Sequence, residues 1–191
     1  MLLLVGLGNP GSNYTNTRHN IGFKIIDAIN VHFKLSKQKP KFKGLLTTGN
    51  IDSKKIYAIK PLTFMNNSGT AIKELIDYFK IDAKDVFVFH DDMDVDFGKI
   101  KVKFGGSSAG HNGIDSIDKF IGKDYSRVRI GIGHPNDKKT VNKHVLEDFK
   151  EDEEDQIKEI AENLVKLLPT LLEKKIDLFS SKVNTSLLAL I

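Results

Sequence analysis

Residues 2–20, LLLVGLGNPGSNYTNTRHN, join an apolar run to a glycine-rich turn and decide how the fold begins. The apolar run predicts a buried strand, and three glycines follow it with the spacing G-x-G-x-x-G. A dinucleotide-binding fold needs a helix to start at those glycines, because its first turn holds the pyrophosphate. Here a turn-rich stretch, residues 12–16, intervenes, and helical spacing of apolar residues begins only near Thr17, a candidate N-cap. The glycines therefore predict a tight turn and do not favour a nucleotide site.

Beyond this turn, predicted strands and helices alternate along the chain. Apolar residues recur at helical spacing after Thr17, over 71–79 and over 157–168. A Gly/Ser loop, residues 105–112, opens a further predicted helix through Ile114, Ile117 and Ile121. Short apolar or alternating runs predict strands at 45–51, 55–59, 86–89, 99–104 and 128–132, and the basic segment 34–43 predicts a loop. Such alternation is typical of α/β proteins. We expect one α/β domain over residues 1–191, with a mixed, twisted β-sheet flanked by helices on both faces.

Composition limits the chemistry of the 191-residue chain. It has no cysteine, which excludes disulfides, thiolate metal sites and thiol nucleophiles. No apolar run reaches the roughly 18 residues of a membrane span, and the N-terminal run lacks the charge and cleavage site of a signal peptide. We therefore expect a cytoplasmic protein.

The charge balance favours an anionic partner. The net charge is +4, which is weakly indicative of RNA binding. Residues 151–155 are acidic, so a basic face must lie elsewhere in the chain. Its candidates are Lys99, Lys101, Lys103, Arg127 and Arg129.

Four loops, each at a strand end or a helix start, carry polar side chains that an active site could use. They supply Asn9, Tyr14, Arg18, His19 and Asn20; Phe64, Asn66 and Asn67; His90, Asp91, Asp92 and Asp94; and His111 and Asn112. Ligands of α/β proteins bind at the carboxyl ends of strands, where we expect these loops to converge. A histidine oriented by an aspartate is a general base, and asparagine N–H groups suit an oxyanion. Histidines, aspartates and asparagines together favour direct attack of water on an ester or amide, without a covalent intermediate.

Two other functions fit parts of this pattern. The loop HDDMDVD, residues 90–96, could bind Mg²⁺ or Ca²⁺ through its carboxylates, which would make the protein a metal-dependent hydrolase. Lys101 and Lys103 alternate with apolar residues, so a strand would place both on one face. That face is either simply solvated or a contact for RNA phosphates, and the latter also fits a non-catalytic RNA-binding protein.

Five blocks of the sequence, in this order, resemble the bacterial peptidyl-tRNA hydrolases. They are GLGNPGSNYTNTRHNIGF (6–23), KPLTFMNNSG (60–69), HDDMD (90–94), GGSSAGHNG (105–113) and RIGIGHP (129–135). That family hydrolyses the ester that joins a peptide to the 3′-terminal ribose of tRNA, and so recycles tRNA. The resemblance implies a single α/β domain, monomeric, with no metal and no cofactor.

The resemblance also implies roles for individual residues. His19 would be the general base that activates water, Asp91 would hold His19 in its basic form, and Asn9 would recognise the blocked amino end. The cleft for the tRNA terminus and the peptide would be formed by Tyr14, Phe64, Asn66 and Asn112, with Asn66 or Asn112 near the reacting carbonyl. Lys101 and Lys103 would lie along the acceptor end of the tRNA.

Two positions depart from the family pattern. Ala109 stands where the family often has a glycine, and Phe97 stands where a proline is common. Both changes bear on loop flexibility, and neither removes a proposed catalytic group.

Overall fold

The computed structural model describes residues 1–135 and 141–188. Within these residues, seven strands form one sheet in the order β2-β3-β4-β1-β5-β7-β6. The strands are β1 (Leu2–Gly6), β2 (Lys39–Lys41), β3 (Gly44–Ile51), β4 (Lys54–Pro61), β5 (Val86–Asp92), β6 (Ile100–Phe104) and β7 (Ser126–Gly131). Strands β4, β1, β5 and β7 run parallel to one another. The pairs β2–β3, β3–β4 and β6–β7 are antiparallel. The sheet is therefore mixed, as predicted.

Helices cover both faces of the sheet. They are α1 (Ile21–His32), α2 (Ser68–Phe79), α3 (Asn112–Ile121), α4 (Val141–Leu146), α5 (Glu151–Leu172) and α6 (Ile176–Leu188). Side chains of β1 alternate between two cores: Leu2 and Leu4 pack in the core that contains α1, α5 and α6, and Leu3 and Val5 in the core that contains α2 and α3. Apolar residues at every position of β1 are the pattern of a strand buried on both sides. The predicted α/β architecture is confirmed.

Some element boundaries differ from the prediction. The segment 34–43, predicted as a loop, contains the short strand β2, because its backbone pairs with β3 although its side chains are exposed. The helix predicted from Thr17 starts with a 3₁₀ turn, Arg18–Asn20, and becomes α-helical only at Ile21. The hydroxyl of Thr17 donates to the carbonyl of Tyr14 and does not cap that helix.

Among the described residues, no helix combines the length and apolar character needed to cross a membrane. The carboxyl ends of the parallel strands β4, β1, β5 and β7 meet at one edge of the sheet. Strand β5 extends to Asp92, beyond the predicted end at Phe89, because its pairing with β7 continues after the apolar run stops. This extension carries His90 and Asp91 to that edge.

Candidate active site

The glycine turn after β1 brings helix α1 against the strand end. A Cβ at Gly22 would collide with the backbone of Leu7 and Phe89, and one at Gly6 with the carbonyl of Gly22. These glycines therefore allow two backbones to approach closely, which only glycine permits here. Gly6 and Gly8 of the G-x-G-x-x-G pattern thus allow α1 to pack against the end of β1, since a Cβ at Gly8 would collide with the ring of Phe23. Asn9 follows Gly8 directly.

Asn9 is held by three hydrogen bonds. Its backbone N–H donates to Asn20 Oδ1 at 2.8 Å, and Asn20 Nδ2 donates to the Asn9 carbonyl at 3.0 Å. Its side-chain Oδ1 accepts the N–H of Met65 at 2.9 Å. Because Oδ1 is committed, the amide orientation is fixed, and Nδ2 donates to no described residue. Asn9 therefore offers a positioned N–H donor, and Asn20 acts as its support.

His19 is paired with Asp91 at the carboxyl end of β5. His19 Nδ1 lies 2.8 Å and 2.9 Å from the two carboxylate oxygens, and both residues are buried. A carboxylate accepts only, so Nδ1 carries the proton and Nε2 carries the lone pair. Nε2 has no hydrogen-bond partner among the described residues, and His19 lines a cavity of about 240 Å³.

Electrostatics sets the protonation of this pair. Burial lowers the pKa of His19, but the charge of Asp91 and its hydrogen bond outweigh burial and raise that pKa above 6.5. Burial raises the pKa of Asp91, but the two imidazoles beside it lower that pKa well below its ordinary value. Asp91 therefore stays ionised, which increases the basicity of His19.

His111 is a second imidazole on the same carboxylate, a contact that the sequence did not predict. Its Nε2 lies 3.0 Å from Asp91 Oδ1, and its Nδ1 accepts the N–H groups of Gly113 and Ile114 at the first turn of α3. Because Nδ1 accepts, the proton must sit on Nε2, which donates to Asp91. His111 thus ties the N-terminus of α3 to the orientation of Asp91. The only sequence signal was a histidine placed directly before a helix start.

The same three side chains form the one group among the described residues whose spacing could hold a metal ion: ligand atoms of His19, Asp91 and His111 lie within 4.8 Å of one another. A metal ligand needs a free lone pair on the nitrogen. The helix cap puts the proton of His111 on that nitrogen, Nε2. The hydrogen bonds of this cluster are therefore those of an imidazole–carboxylate–imidazole array and not of a metal centre.

The acidic loop does not gather into the predicted cation site. Asp92 accepts from Arg129 Nε at 2.6 Å and from the N–H of Asp94 at 2.9 Å, and the ring of His90 bonds the carbonyl of Asp91. Burial and the neighbouring His111 lower the pKa of His90 to about 3, so this ring is neutral. The alternative based on HDDMDVD is wrong in its choice of residues. Asp91, Asp92 and Asp94 all line the His19 cavity, but among the described residues only His19, Asp91 and His111 have the spacing of metal ligands.

Of the remaining predicted residues, only Asn112 is part of the described lining of the His19 cavity. Asn66 and Asn67 are exposed on a 3₁₀ turn, Met65–Asn67, whose first N–H is the one bound by Asn9. Phe64 is 60% exposed and Tyr14 is half-buried. Arg18 is buried against Glu153, with 2.7 Å between Nη2 and Oε2, and is not available to a substrate.

The candidate basic face is smaller than predicted. Lys101 and Lys103 are exposed on the edge strand β6, and neither forms an ion pair with a described residue. Arg127 is buried, with Nη2 2.7 Å from Asp118 and Nη1 2.7 Å from the Ser107 carbonyl, and Arg129 pairs with Asp92. Both arginines lie on β7, which is an inner strand between β5 and β6. Arg127 is therefore wrong as an exposed phosphate contact, whereas Arg129 is half-buried and stays a prediction.

Ala109 shows why a glycine is common at its position. Its φ is 50°, in the left-handed region, where a residue with a Cβ is strained. It belongs to the loop that carries His111, together with Gly110 at φ 82°. The departure at Ala109 therefore strains this loop without removing a polar group.

Comparisons with known proteins agree with one another. The family model for peptidyl-tRNA hydrolase matches residues 3–189. A peptidyl-tRNA hydrolase of Pelagibacter ubique is 70% identical over 184 residues, which cover 96% of this chain and 99% of that protein. A peptidyl-tRNA hydrolase of Ehrlichia ruminantium is 45% identical over 95% of this chain and 93% of that protein. The crystal structure of peptidyl-tRNA hydrolase from Acinetobacter baumannii superposes with a TM-score of 0.90 at 34% sequence identity. The superposition covers 96% of this chain and 94% of that protein.

Proposed function

The chain belongs to the peptidyl-tRNA hydrolase family, and from the geometry of its site we propose that it cleaves the ester of peptidyl-tRNA with water activated by His19. The observation that carries this proposal is the array in which Asp91 holds His19 Nδ1 at 2.8 Å and leaves Nε2 facing a cavity. The chemistry needs neither a metal nor a covalent intermediate. Free tRNA and peptide are the products, so the reaction recycles tRNA from prematurely released peptidyl-tRNA.

His19 carries the proton through the reaction. Nε2 takes a proton from water as the water oxygen attacks the ester carbonyl, and Asp91 stabilises the imidazolium that forms. When the tetrahedral intermediate collapses, the C–O bond to the ribose breaks and the imidazolium gives its proton to the leaving ribose oxygen. The amide N–H of Asn112, which shares the cavity, or of Asn66 supports the oxyanion.

Asn9 supplies the preference for a blocked amino end. Its Nδ2 is a fixed donor, because Oδ1 is bound by Met65. An N-acyl group on the scissile residue presents a carbonyl oxygen, which accepts from Nδ2. A free α-ammonium presents only donors, so it would leave Nδ2 unpaired and place like partial charges together. Free aminoacyl-tRNA is thereby spared.

The pH profile tests the role of His19. Because only neutral His19 accepts a proton and Asp91 raises its pKa, we expect kcat/KM to rise with pH through a midpoint above 6.5. In Asp91→Asn the charge that raises the pKa is gone while burial still lowers it, so the midpoint of the residual activity should move down. His32→Gln, at an exposed histidine, should keep the wild-type midpoint. If kcat/KM of Asp91→Asn falls at low pH around the same midpoint as that of the wild type, a group other than His19 controls the profile.

We propose that Lys101 and Lys103 contact phosphates of the tRNA. In the double variant Lys101→Ala/Lys103→Ala, we expect KM to rise about tenfold at low salt and the slope of log KM against log salt to fall by about 2, with kcat little changed. The matched control is Lys39→Ala/Lys41→Ala, which removes two exposed lysines of β2 at the opposite edge of the sheet. Equal effects of the two double variants would argue against a specific contact on β6.

The protein is expected to act as a monomer in the cytoplasm, where peptidyl-tRNA arises. Each proposed catalytic group comes from the same chain, so the site needs no second copy.

A further inference from the structure

Asn9 lines a second cavity, which does not include His19 or His111 in its lining. It measures about 400 Å³, within the usual range for ligand pockets. Its lining comes from the loop after β1, from α1 and from the ends of β3 and β4, and includes Asn9, Phe23, Asp27, Leu45, Lys60 and Leu62. None of the residues assigned to the hydrolytic step except Asn9 lines it. We call it the β4 cavity.

The strand order indicates on which side of the scissile ester the RNA and the peptide lie. Lys101 and Lys103 lie on β6 at one end of the sheet, the His19–Asp91 pair lies at β5, and the β4 cavity lies across β1 from that pair. If the RNA lies toward β6, the acyl part of the bound substrate extends from the scissile ester toward β4. Two strand spacings separate β5 from β4, about 10 Å, which an extended peptide spans in about three residues.

The chemistry of the β4 cavity suits a peptide better than RNA. Its two lysines are already paired: Lys60 Nζ lies 2.6 Å and 2.8 Å from the carboxylate oxygens of Asp27, and Lys24 bonds Glu154. Gln38 also donates to Asp27 at 2.7 Å. A phosphate would find no unpaired cation here among the described residues. The walls at Phe23, Leu45 and Leu62 are apolar, and Asn9 follows β1, the strand between β4 and β5.

From this juxtaposition we propose that the β4 cavity binds the peptide of the substrate over the second to fourth residues counted from the ester. The proposal rests on the proposed function, since it assigns the acyl side of the same substrate. It predicts that catalytic efficiency depends on peptide length. Acetyl-aminoacyl-tRNA reaches Asn9 only, whereas a longer peptidyl-tRNA also fills the cavity and has the higher kcat/KM.

The experiment compares acetyl-aminoacyl-tRNA with acetyl-tetrapeptidyl-tRNA that ends in the same amino acid. Leu62→Trp narrows the cavity at its rim, where Leu62 is 42% exposed. It should lower kcat/KM for the long substrate about tenfold, since lost apolar contacts in a pocket cost a factor of that order or more, and leave the short substrate unchanged. Ser12→Trp, at an exposed lining residue, provides a second and independent obstruction.

The matched control is Leu178→Trp, the same change at a leucine that is 45% exposed on α6 and lines neither cavity. It should leave both substrates unchanged. The proposal is overturned if Leu62→Trp and Ser12→Trp slow the two substrates equally, or slow neither. A wild-type protein that cleaves neither substrate would instead refute the proposed function itself.

Discussion

Replacing His19 with alanine is expected to lower kcat on N-acetyl-aminoacyl-tRNA by about 10²- to 10⁴-fold, the usual contribution of a general base. His19 Nε2 is the acceptor that faces the cavity with its lone pair, since Nδ1 is bound to Asp91 at 2.8 Å. Without it, water attacks unassisted and the ribose oxygen leaves without a proton donor. KM should change little, because the binding contacts proposed for Asn9, Lys101 and Lys103 remain. Single-turnover cleavage, followed by release of deacylated tRNA, measures the effect.

The control for this variant is His32→Ala, which removes an exposed histidine near the end of α1. It should retain wild-type turnover. Both variants need a matching far-ultraviolet circular dichroism spectrum, because His19 is buried and its removal leaves a small void. If the His19→Ala protein is folded and has a near-wild-type kcat, His19 is not the general base.

The second large effect is expected from Asp91→Asn. Two imidazole N–H groups point at this carboxylate, from His19 at 2.8 Å and from His111 at 3.0 Å. Both rings bond the same oxygen, Oδ1, so an amide oxygen in that position still accepts from both. The amide NH₂ group then takes the place of Oδ2, 2.9 Å from His19 Nδ1, so His19 faces a donor, and the negative charge beside its ring is lost. The same change in a serine-protease triad costs about 10⁴-fold through the wrong tautomer, and we expect a loss of about 10²- to 10⁴-fold in kcat.

Asp96→Asn is the matched control, because Asp96 is an exposed aspartate of the following loop and is not part of the array. Its kcat should equal that of the wild type. If Asp91→Asn keeps more than about a tenth of wild-type kcat, roughly 1.4 kcal/mol, the orientation of His19 does not depend on the carboxylate. That result would remove the role proposed for Asp91, while His19 would remain the candidate general base.

Local sequence was enough for much of this fold. The continuous apolar residues of β1 and β5 and the helical spacing of α1, α2 and α5 depend on neighbours within a few positions. The gathering of the loops that carry Asn9, His19, Asp91 and Asn112 followed from a general rule about the ends of parallel strands.

Other features depend on neighbours far along the chain. The alternation of Arg127 and Arg129 is the same as that of Lys101 and Lys103, and the two pairs lie opposite each other across β7 and β6. The arginines differ because Asp118 of α3 and Asp92 of β5 pair with them. The segment that contains β2 has no strand pattern of its own and is ordered by β3. His111 gains its role from the packing of α3 beside β5, which places one imidazole between a helix start and a carboxylate.

The most direct test of the central account is cleavage of N-acetyl-aminoacyl-tRNA and of unblocked aminoacyl-tRNA by the wild-type protein and by His19→Ala, with excess EDTA present. We predict that the wild type releases tRNA from the blocked substrate only, and that His19→Ala releases it from neither at a comparable rate. Loss of wild-type cleavage in EDTA, with recovery on adding Mg²⁺, would contradict the account and make a metal the source of the attacking water.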